Sequence, residues 1–283
     1  MRKILKILFK CGTKELQDYM VSHFTKDALK VEEYRKLDVF GIFISYIEGN
    51  LEIEMAKQYA KKNKIGTLQY YLLEFTDEEL KQVPYFKLEV DKTGIYDMWS
   101  SSSAEYIYKG CDYCGAGAVQ TTPLKLPIKL LDALGSYDIF AVPPELVVSN
   151  RIKQEMEKNC VTGCEFWNTI DRKTGKRTED FFEVKIDTQL PLSQTSGPIR
   201  IEKCPKCGKE GIVFTRRLQY KLSDFSERKD FYISQESRFM EKESWRDGYR
   251  KHDIIISKKV CDILQKFDNH FIRIYPLYFE ELY

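Results

Sequence analysis

The sequence has few of the residues and patterns on which common enzyme sites depend. Only three histidines occur among 283 residues, and there is no HExxH, GxSxG or GxGxxG pattern. The Gly175–Lys176 pair lacks the first glycine of a phosphate-binding loop, so the stretch 171–180 is predicted to be a charged hairpin turn. We therefore expect a protein that is not an enzyme, and an enzyme whose site the sequence does not reveal stays open as an alternative.

A strong net charge is also lacking. The 45 basic and 43 acidic residues almost cancel, so the chain as a whole gives no electrostatic reason to expect a nucleic acid or an anionic membrane as partner. A local basic surface remains open at this stage.

Long hydrophobic runs are absent. The apolar stretches 39–47 and 138–148 are far shorter than the about 20 residues that cross a bilayer. The N-terminus begins like a secretory signal, but Lys6 and Lys10 interrupt its apolar run and no small-residue cleavage site follows. We expect a cytoplasmic protein with no membrane partner, in which the eight cysteines are reduced thiols.

The first 97 residues alternate helical and extended patterns, which predicts an α+β module over residues 1–97. Residues 51–66 read as a helix with Gly66 at its C-cap. Thr76 and Glu79 form a capping box at the start of a short helix, and residues 85–94 read as an extended segment that closes on a turn.

Two later segments, 145–159 and 253–267, repeat one pattern. Each has three aliphatic residues, a serine, two polar residues and then apolar positions at helical spacing. The pattern predicts a buried strand that runs into a helix, with Ser149 or Ser257 as N-cap. An extended aromatic segment follows each helix, and a CxxC pair precedes each copy. Residues 98–283 are therefore predicted to form two related strand–Ser–helix–strand halves, and the whole chain an α+β fold.

The two CxxC pairs, GCDYCG and KCPKCG, are the strongest chemical signal in the sequence. In such a loop two thiolates converge within reach of one ion, and the glycine that follows each pair relieves the tight turn. Two pairs make one tetrahedral set with structural Zn²⁺ as the preferred ion. The predicted ligands are Cys111, Cys114, Cys204 and Cys207, and the ion would join the two halves.

Other interpretations of the cysteines stay open. A redox-active CxxC is one, although neither pair opens a helix as in thioredoxin-like proteins. Loss of the metal from one or both pairs is another. Cys160 and Cys164 have CxxxC spacing and could ligate a metal, or they could be small, partly buried residues at a helix-to-strand turn. Cys11 and Cys261 are expected to be core thiols.

The segment 215–232 interleaves basic and aromatic residues as phosphate contacts and base stacking require. Its basic residues include Arg216 and Arg217. A zinc-ribbon nucleic-acid-binding protein is therefore the alternative function. The same pattern is also typical of two amphipathic strands with a solvated face, and the acidic residues within the segment favour that interpretation.

The CDYCG and CPKCG motifs, the two strand–Ser–helix segments and the stretch FTDEELKQVPYFKLEV together resemble the bacterial double-CXXCG motif proteins. They are also similar to immunity proteins of polymorphic toxin systems, and the resemblance covers most of the chain in separate islands. It implies a cytoplasmic protein that binds and neutralises a toxin domain. Such a role needs a complementary surface built around a few anchor residues and no catalytic group.

Overall fold

A computed structural model of the chain describes residues 2–10, 22, 32–36, 39–47, 51–90, 106–108, 111, 117, 119–127, 137–142, 145–191, 193, 200–214, 218–238, 251–267 and 272–282. These residues form both helices and sheets, so the predicted α+β class is confirmed. The chain divides into two compact units, residues 1–82 and 83–283. None of the described helices is long and apolar enough to cross a membrane.

The described residues of the first unit form an antiparallel sheet and two helices. Its strands are β1 (Arg2–Lys10), β2 (Glu32–Lys36), β3 (Val39–Ile47) and β4 (Gly66–Glu74), in the spatial order β2–β3–β1–β4. Helix α1 (Leu51–Lys62) connects β3 to β4, and the short helix α2 (Asp77–Gln82) follows β4. Both helices lie in the segments where the sequence pattern predicts them.

Local hydrogen bonds set the ends of these helices. The Thr76 amide donates to the Glu79 carboxylate at 2.8 Å and the Glu79 amide donates to the Thr76 hydroxyl at 3.3 Å, which confirms the predicted capping box. The predicted C-cap at Gly66 is wrong, because α1 ends at Lys62 and Gly66 begins β4. Lys64 instead takes the left-handed conformation, with φ 54°.

The described residues of the second unit form two larger sheets, a separate hairpin and two α-helices. Its strands are β5 (Tyr85–Val90), β6 (Tyr106–Tyr108), β7 (Val119–Gln120), β8 (Lys125–Leu126), β9 (Ile139–Val142), β10 (Glu145–Ser149), β11 (Glu165–Asp171), β12 (Arg177–Lys185), β13 (Arg200–Lys203), β14 (Glu210–Phe214), β15 (Phe231–Arg238), β16 (Lys251–Ser257) and β17 (Ile272–Pro276). Its helices are α3 (Asn150–Lys158) and α4 (Lys258–Leu264).

The order of strands differs from the order of the chain. One sheet runs β8–β11–β12–β10–β9, and the other runs β13–β14–β15–β16–β5–β17. The strands β6 and β7 form an antiparallel hairpin of their own. The charged turn predicted at 171–180 is confirmed, since β11 and β12 form an antiparallel pair around it and Gly175 has φ 69°.

Strand β5 belongs to the second unit. The sequence pattern predicts residues 85–94 in the N-terminal module, but β5 pairs with β16 on one side and with β17 on the other. The physical reason is burial: Phe86 and Leu88 are 5% and 2% exposed in this sheet, so the strand supplies core side chains to the second unit. The division between the compact units accordingly falls before β5.

Both predicted serine N-caps are confirmed. The Ser149 hydroxyl accepts a hydrogen bond from the Ile152 amide at 3.4 Å, and the Ser257 hydroxyl accepts one from the Val260 amide at 3.3 Å. Apolar residues of each helix are fully buried: Ile152 and Met156 in α3, and Val260 and Leu264 in α4. The order strand, serine, helix, strand is thus present twice, as β10–α3–β11 and as β16–α4–β17.

A buried aspartate orients each capping serine, which the sequence pattern does not predict. The Ser149 hydroxyl donates to Asp138 at 2.7 Å, and the Ser257 hydroxyl donates to Asp230 at 2.7 Å. A basic residue two positions after each serine also donates to the aspartate (Arg151 at 3.0 Å and Lys259 at 2.9 Å). Because a buried carboxylate needs hydrogen-bond donors, these bonds couple the start of each helix to the strand beside it.

Asp230 is the more extensively bonded of the two carboxylates. It also accepts hydrogen bonds from the amide and the hydroxyl of Thr162, at 2.9 and 3.2 Å. Burial alone would raise the pKa of Asp230, but hydrogen bonds from Lys259, Ser257 and Thr162 outweigh it and hold the pKa below its ordinary value of 3.8. Asp230 is therefore ionised at neutral pH, with its charge satisfied inside the fold.

Replacing either capping serine by alanine should destabilise the second unit. Ser149→Ala and Ser257→Ala each remove an N-cap and one donor to a buried aspartate, so we expect each to lower the free energy of unfolding by about 1–2 kcal/mol in urea titrations. Ser226→Ala changes an exposed serine and serves as the control, with an expected effect below about 0.5 kcal/mol. Equal unfolding midpoints for all three variants would contradict the capping role.

Candidate metal centre

The second CxxC pair forms the turn of a β-hairpin. β13 leads directly into Cys204 and β14 begins at Glu210. The Cys204 amide donates to the Lys209 carbonyl at 2.9 Å, and the Gly208 amide donates to the Cys204 carbonyl at 2.9 Å. Gly208 has φ 71°, a conformation that glycine adopts without steric cost. The glycine after the pair is therefore required by the backbone of the turn, as the sequence predicts.

The first CxxC pair lies between the two strands of the other hairpin. β6 ends at Tyr108 and β7 begins at Val119, and these two residues pair across the ladder. Cys111 follows β6 closely and is half-buried. Cys114 lies outside the described residues. Both CxxC pairs thus occupy connections between antiparallel strands.

Side-chain hydrogen bonds anchor the first hairpin to β12. The side-chain amide nitrogen of Gln120 donates to the carboxylate of Glu183 at 2.7 Å, and the Lys185 ammonium group donates to the side-chain carbonyl oxygen of Gln120 at 2.8 Å. The Leu124 amide donates to the second carboxylate oxygen of Glu183 at 3.0 Å. Burial raises the pKa of Glu183, and the bonds from Gln120 and Leu124 oppose that rise.

Sequence reasoning missed this anchor. Glu183 is fully buried, between the apolar neighbours Phe182 and Val184. An acidic residue within an apolar run such as FFEV could have indicated a hydrogen-bonded buried carboxylate, because a carboxylate in the core requires donors. The sequence does not indicate which residue supplies them, since Gln120 lies far away along the chain.

The two hairpins bring three cysteines together. Sγ of Cys111 lies 3.7 Å from Sγ of Cys204, although 93 positions separate them in the sequence. The Sγ atoms of Cys111, Cys204 and Cys207 all lie within 4.8 Å of one another. Cys204 is buried, whereas Cys207 is exposed. The predicted convergence of the two CxxC pairs is therefore present for the three predicted ligands that the structure describes.

The spacing of these sulfur atoms suits a metal ion. A tetrahedral ion with metal–sulfur bonds of about 2.3 Å separates its sulfur ligands by about 3.8 Å, close to the 3.7 Å between Cys111 and Cys204. Thiolates are soft donors that prefer Zn²⁺, Cu⁺ or iron–sulfur clusters. In the part of the chain that the structure describes, this is the one group of three or more potential ligand side chains close enough to share an ion.

The remaining described cysteines lie outside this group. Cys160 is exposed and follows α3 in a left-handed conformation, with φ 50°. Cys164 lines a cleft of about 500 Å³ together with Glu165 and Asp187. Burial, followed by the charges of Asp230, Asp187 and Glu165, raises the pKa of Cys164 to about 12. Its thiol stays protonated at neutral pH, which disfavours metal ligation and nucleophilic attack.

Cys261 agrees with its predicted role as a core thiol. It is buried in α4, and burial first, then the charge of Asp262, raises its pKa to about 11. Cys11 lies outside the described residues, as do His23 and His270. The Nδ1 atom of His252 lies 2.7 Å from the carbonyl oxygen of Ser234, which orients the ring within β16.

The aromatic residues of the segment 215–232 belong to the protein core. Four of its aromatic side chains are at most 3% exposed (Tyr220, Phe225, Phe231 and Tyr232). Phe225 stacks on Tyr85 with ring centroids 3.9 Å apart. Arg216 and Arg217 lie outside the described residues. The aromatic side chains that base stacking would require are therefore packed in the core. The described part of the segment contains a 3₁₀ turn and the start of β15.

Comparison with known proteins assigns no family. No protein-family model matches the chain, and no curated protein has a significantly similar sequence. The resemblance to double-CXXCG motif proteins therefore stays a prediction, and the cysteine geometry is the observation from which function has to be argued.

Thiol modification can test whether an ion occupies the cysteine group. Cys160 and Cys207 are both exposed, but only Cys207 belongs to the group. We expect an alkylating reagent to modify Cys160 promptly in the protein as purified and Cys207 only after treatment with a chelator, because coordination removes the free thiolate. Mass spectrometry of peptides measures both sites in one sample. Equal modification of both cysteines before chelation would contradict the presence of an ion.

Proposed function

We propose that the protein is a bacterial, cytoplasmic binding protein of the immunity type, that its cysteine centre holds a structural Zn²⁺, and that it neutralises a toxin domain by binding it. The observation that supports the metal centre is the approach of Cys111 and Cys204 to 3.7 Å from two separate hairpins. The binding role is supported by the resemblance of the CxxC and strand–Ser–helix segments to immunity-type proteins.

Zinc suits the donor set best. Cys111, Cys204 and Cys207 supply three sulfur ligands, and the CxxC spacing assigns the fourth to Cys114. Zn²⁺ prefers four thiolates in structural sites, and a site with four protein ligands keeps no open position for a substrate or an activated water. The ion would therefore contribute folding free energy and no reaction chemistry.

The ion would connect two parts of the second unit. Cys111 follows β6, whose partner strand β7 is tied through Gln120 to Glu183 in the five-stranded sheet. Cys204 and Cys207 belong to the hairpin of β13 and β14, at the edge of the six-stranded sheet. Coordination by both hairpins holds these parts in one arrangement, so that residues far apart in the sequence can form a single rigid surface.

A protein-binding role requires a rigid surface, which two hairpins joined by one ion would provide. A protein–protein interface of standard size covers about 800 Å² on each partner and depends on a few well-placed anchors. Preorganised anchors bind more tightly, because less conformational entropy is lost on association. A metal that fixes two hairpins would supply that preorganisation. The nucleic-acid alternative receives less support, because the aromatic side chains it requires are buried in the core.

Elemental analysis tests the metal. Protein purified without chelator should contain about one zinc per chain, and the double variant Cys111→Ser/Cys204→Ser should contain almost none, because two of four ligands are lost. Cys160→Ser provides the matched control and should retain the zinc, since Cys160 is exposed and outside the group. Absence of zinc from the unmodified chain, or full zinc in the double variant, would contradict the proposed centre.

Co-expression tests the immunity role. Immunity proteins are encoded beside their toxins, so the product of the adjacent gene is the partner to try. We expect that product to inhibit bacterial growth when expressed alone, and growth to be restored when this chain or its Cys160→Ser variant is co-expressed. The Cys111→Ser/Cys204→Ser variant should restore growth poorly.

A zinc-containing chain that neither restores growth nor binds the purified neighbour would refute the immunity role. The metal centre would stand in that case, because elemental analysis decides it separately.

A further inference from the structure

We infer that residues 83–283 are two tandem repeats that have exchanged their first strands. Repeat A extends from β5 through β11, and repeat B extends from β12 through β17. Each repeat consists, in chain order, of a strand, a CxxC pair, a strand preceded by an aspartate, and the strand–Ser–helix–strand element. In the structure, β5 of repeat A lies in the sheet of repeat B, and β12 of repeat B lies in the sheet of repeat A. This inference does not depend on the proposed function.

The exchanged strands pair in the same register with the strand that precedes the helix. In each sheet the capping serine lies opposite an aromatic residue, and the pairing continues from there one residue at a time. In the sheet of repeat A the facing residues are Ser149–Phe181, Val148–Phe182, Val147–Glu183 and Leu146–Val184. In the sheet of repeat B the corresponding facing residues, in the same order, are Ser257–Tyr85, Ile256–Phe86, Ile255–Lys87 and Ile254–Leu88. A shift of one residue would turn every side chain to the other face of the sheet, so this agreement defines β5 and β12 as equivalent strands.

The two exchanged strands also have equivalent neighbours and the same register on their other edge. β12 pairs with β11, and β5 pairs with β17, which are the strands that follow the two helices. Trp167 lies opposite Glu183 in one sheet, and Tyr275 lies opposite Lys87 in the other. Each exchanged strand is therefore enclosed on both sides by strands of the other repeat.

The unexchanged parts of the repeats also correspond. The strand that directly follows the buried aspartate pairs with the capping strand in both sheets, β9 with β10 and β15 with β16. A short parallel bridge joins Lys125 to Ile170 in repeat A and Gln219 to Tyr278 in repeat B. The residues that flank Lys125 and Gln219 are buried alike (Leu124 and Leu126, Leu218 and Tyr220). The part of the basic and aromatic segment around Gln219 is thus the counterpart in repeat B of a core segment of repeat A.

The exchange makes each repeat the binding partner of the other. The gap between β16 and β17 takes residues 85–90, and the gap between β10 and β11 takes residues 177–185. Two identical subunits that swap a strand form such an arrangement as a closed dimer; here one chain contains both copies. Cys111 and Cys204, the first cysteines of the two CxxC pairs, meet at 3.7 Å, so the cysteine group lies where the repeats join.

Paired cysteines can distinguish exchanged from unexchanged strands in the full chain. Glu89 lies opposite Arg273, and Lys185 lies opposite Glu165. Facing residues of antiparallel strands have Cα atoms about 4.5–5.5 Å apart, a separation that a disulfide can bridge. In an unexchanged fold the same strands would instead place Glu89 opposite Glu165 and Lys185 opposite Arg273. All four residues are at least partly exposed, so substitution should leave the core intact.

We expect mild oxidation to link most molecules of the variants Glu89→Cys/Arg273→Cys and Glu165→Cys/Lys185→Cys within one chain. The matched variants Glu89→Cys/Glu165→Cys and Lys185→Cys/Arg273→Cys should stay largely unlinked. Peptide mapping by mass spectrometry identifies each new disulfide and separates it from the native cysteines.

The opposite pattern would overturn the inference, as would the absence of a link in all four variants. Links that form between two chains would also overturn it, because the exchange would then connect separate molecules.

Discussion

The convergence of thiols from two hairpins is the constraint on which the second unit depends. Sulfur atoms of Cys111, Cys204 and Cys207 lie within 4.8 Å of one another, a separation at which ionised thiolates would repel unless a cation shares them. In the second hairpin, the left-handed conformation of Gly208 and the backbone hydrogen bonds that close the turn fix the positions of Cys204 and Cys207. On the other side, the buried pair Gln120–Glu183 fixes the hairpin that precedes the five-stranded sheet. An ion bound by these cysteines would join two supports that are already ordered.

The sheets around this centre are also mutually dependent. Each is completed by a strand from the other repeat, and each helix begins at a serine that a buried aspartate orients. In repeat B the aspartate also bonds to Thr162, which lies just before β11 of repeat A. A Cβ atom added at Gly163 of repeat A would lie 2.4 Å from the carbonyl oxygen of Phe231 in repeat B. The two repeats therefore pack too closely at this point for any side chain. Such contacts favour cooperative unfolding of the whole unit rather than separate unfolding of halves.

Local patterns predicted the local structure well. The N-caps at Ser149 and Ser257 follow from a polar residue between an aliphatic run and a segment with helical spacing. The turn that holds Cys204 and Cys207 follows from its CxxC spacing. The rest depends on contacts between distant segments. Nothing local in residues 85–90 indicates that they lie between β16 and β17. Asp138 and Asp230 likewise carry no signal of the serine they orient, because the partner is defined only when β9 and β15 pair with the following strands.

The most direct measurement of the central claim is X-ray absorption at the zinc edge on protein purified without chelator. A structural centre shared by both repeats predicts one zinc environment with about four sulfur neighbours at about 2.3 Å. A first shell made mostly of nitrogen and oxygen, or a chain without zinc whose CxxC cysteines are oxidised to disulfides, would contradict it. Either of those results would leave the two hairpins without the ion that the sulfur positions of Cys111, Cys204 and Cys207 indicate.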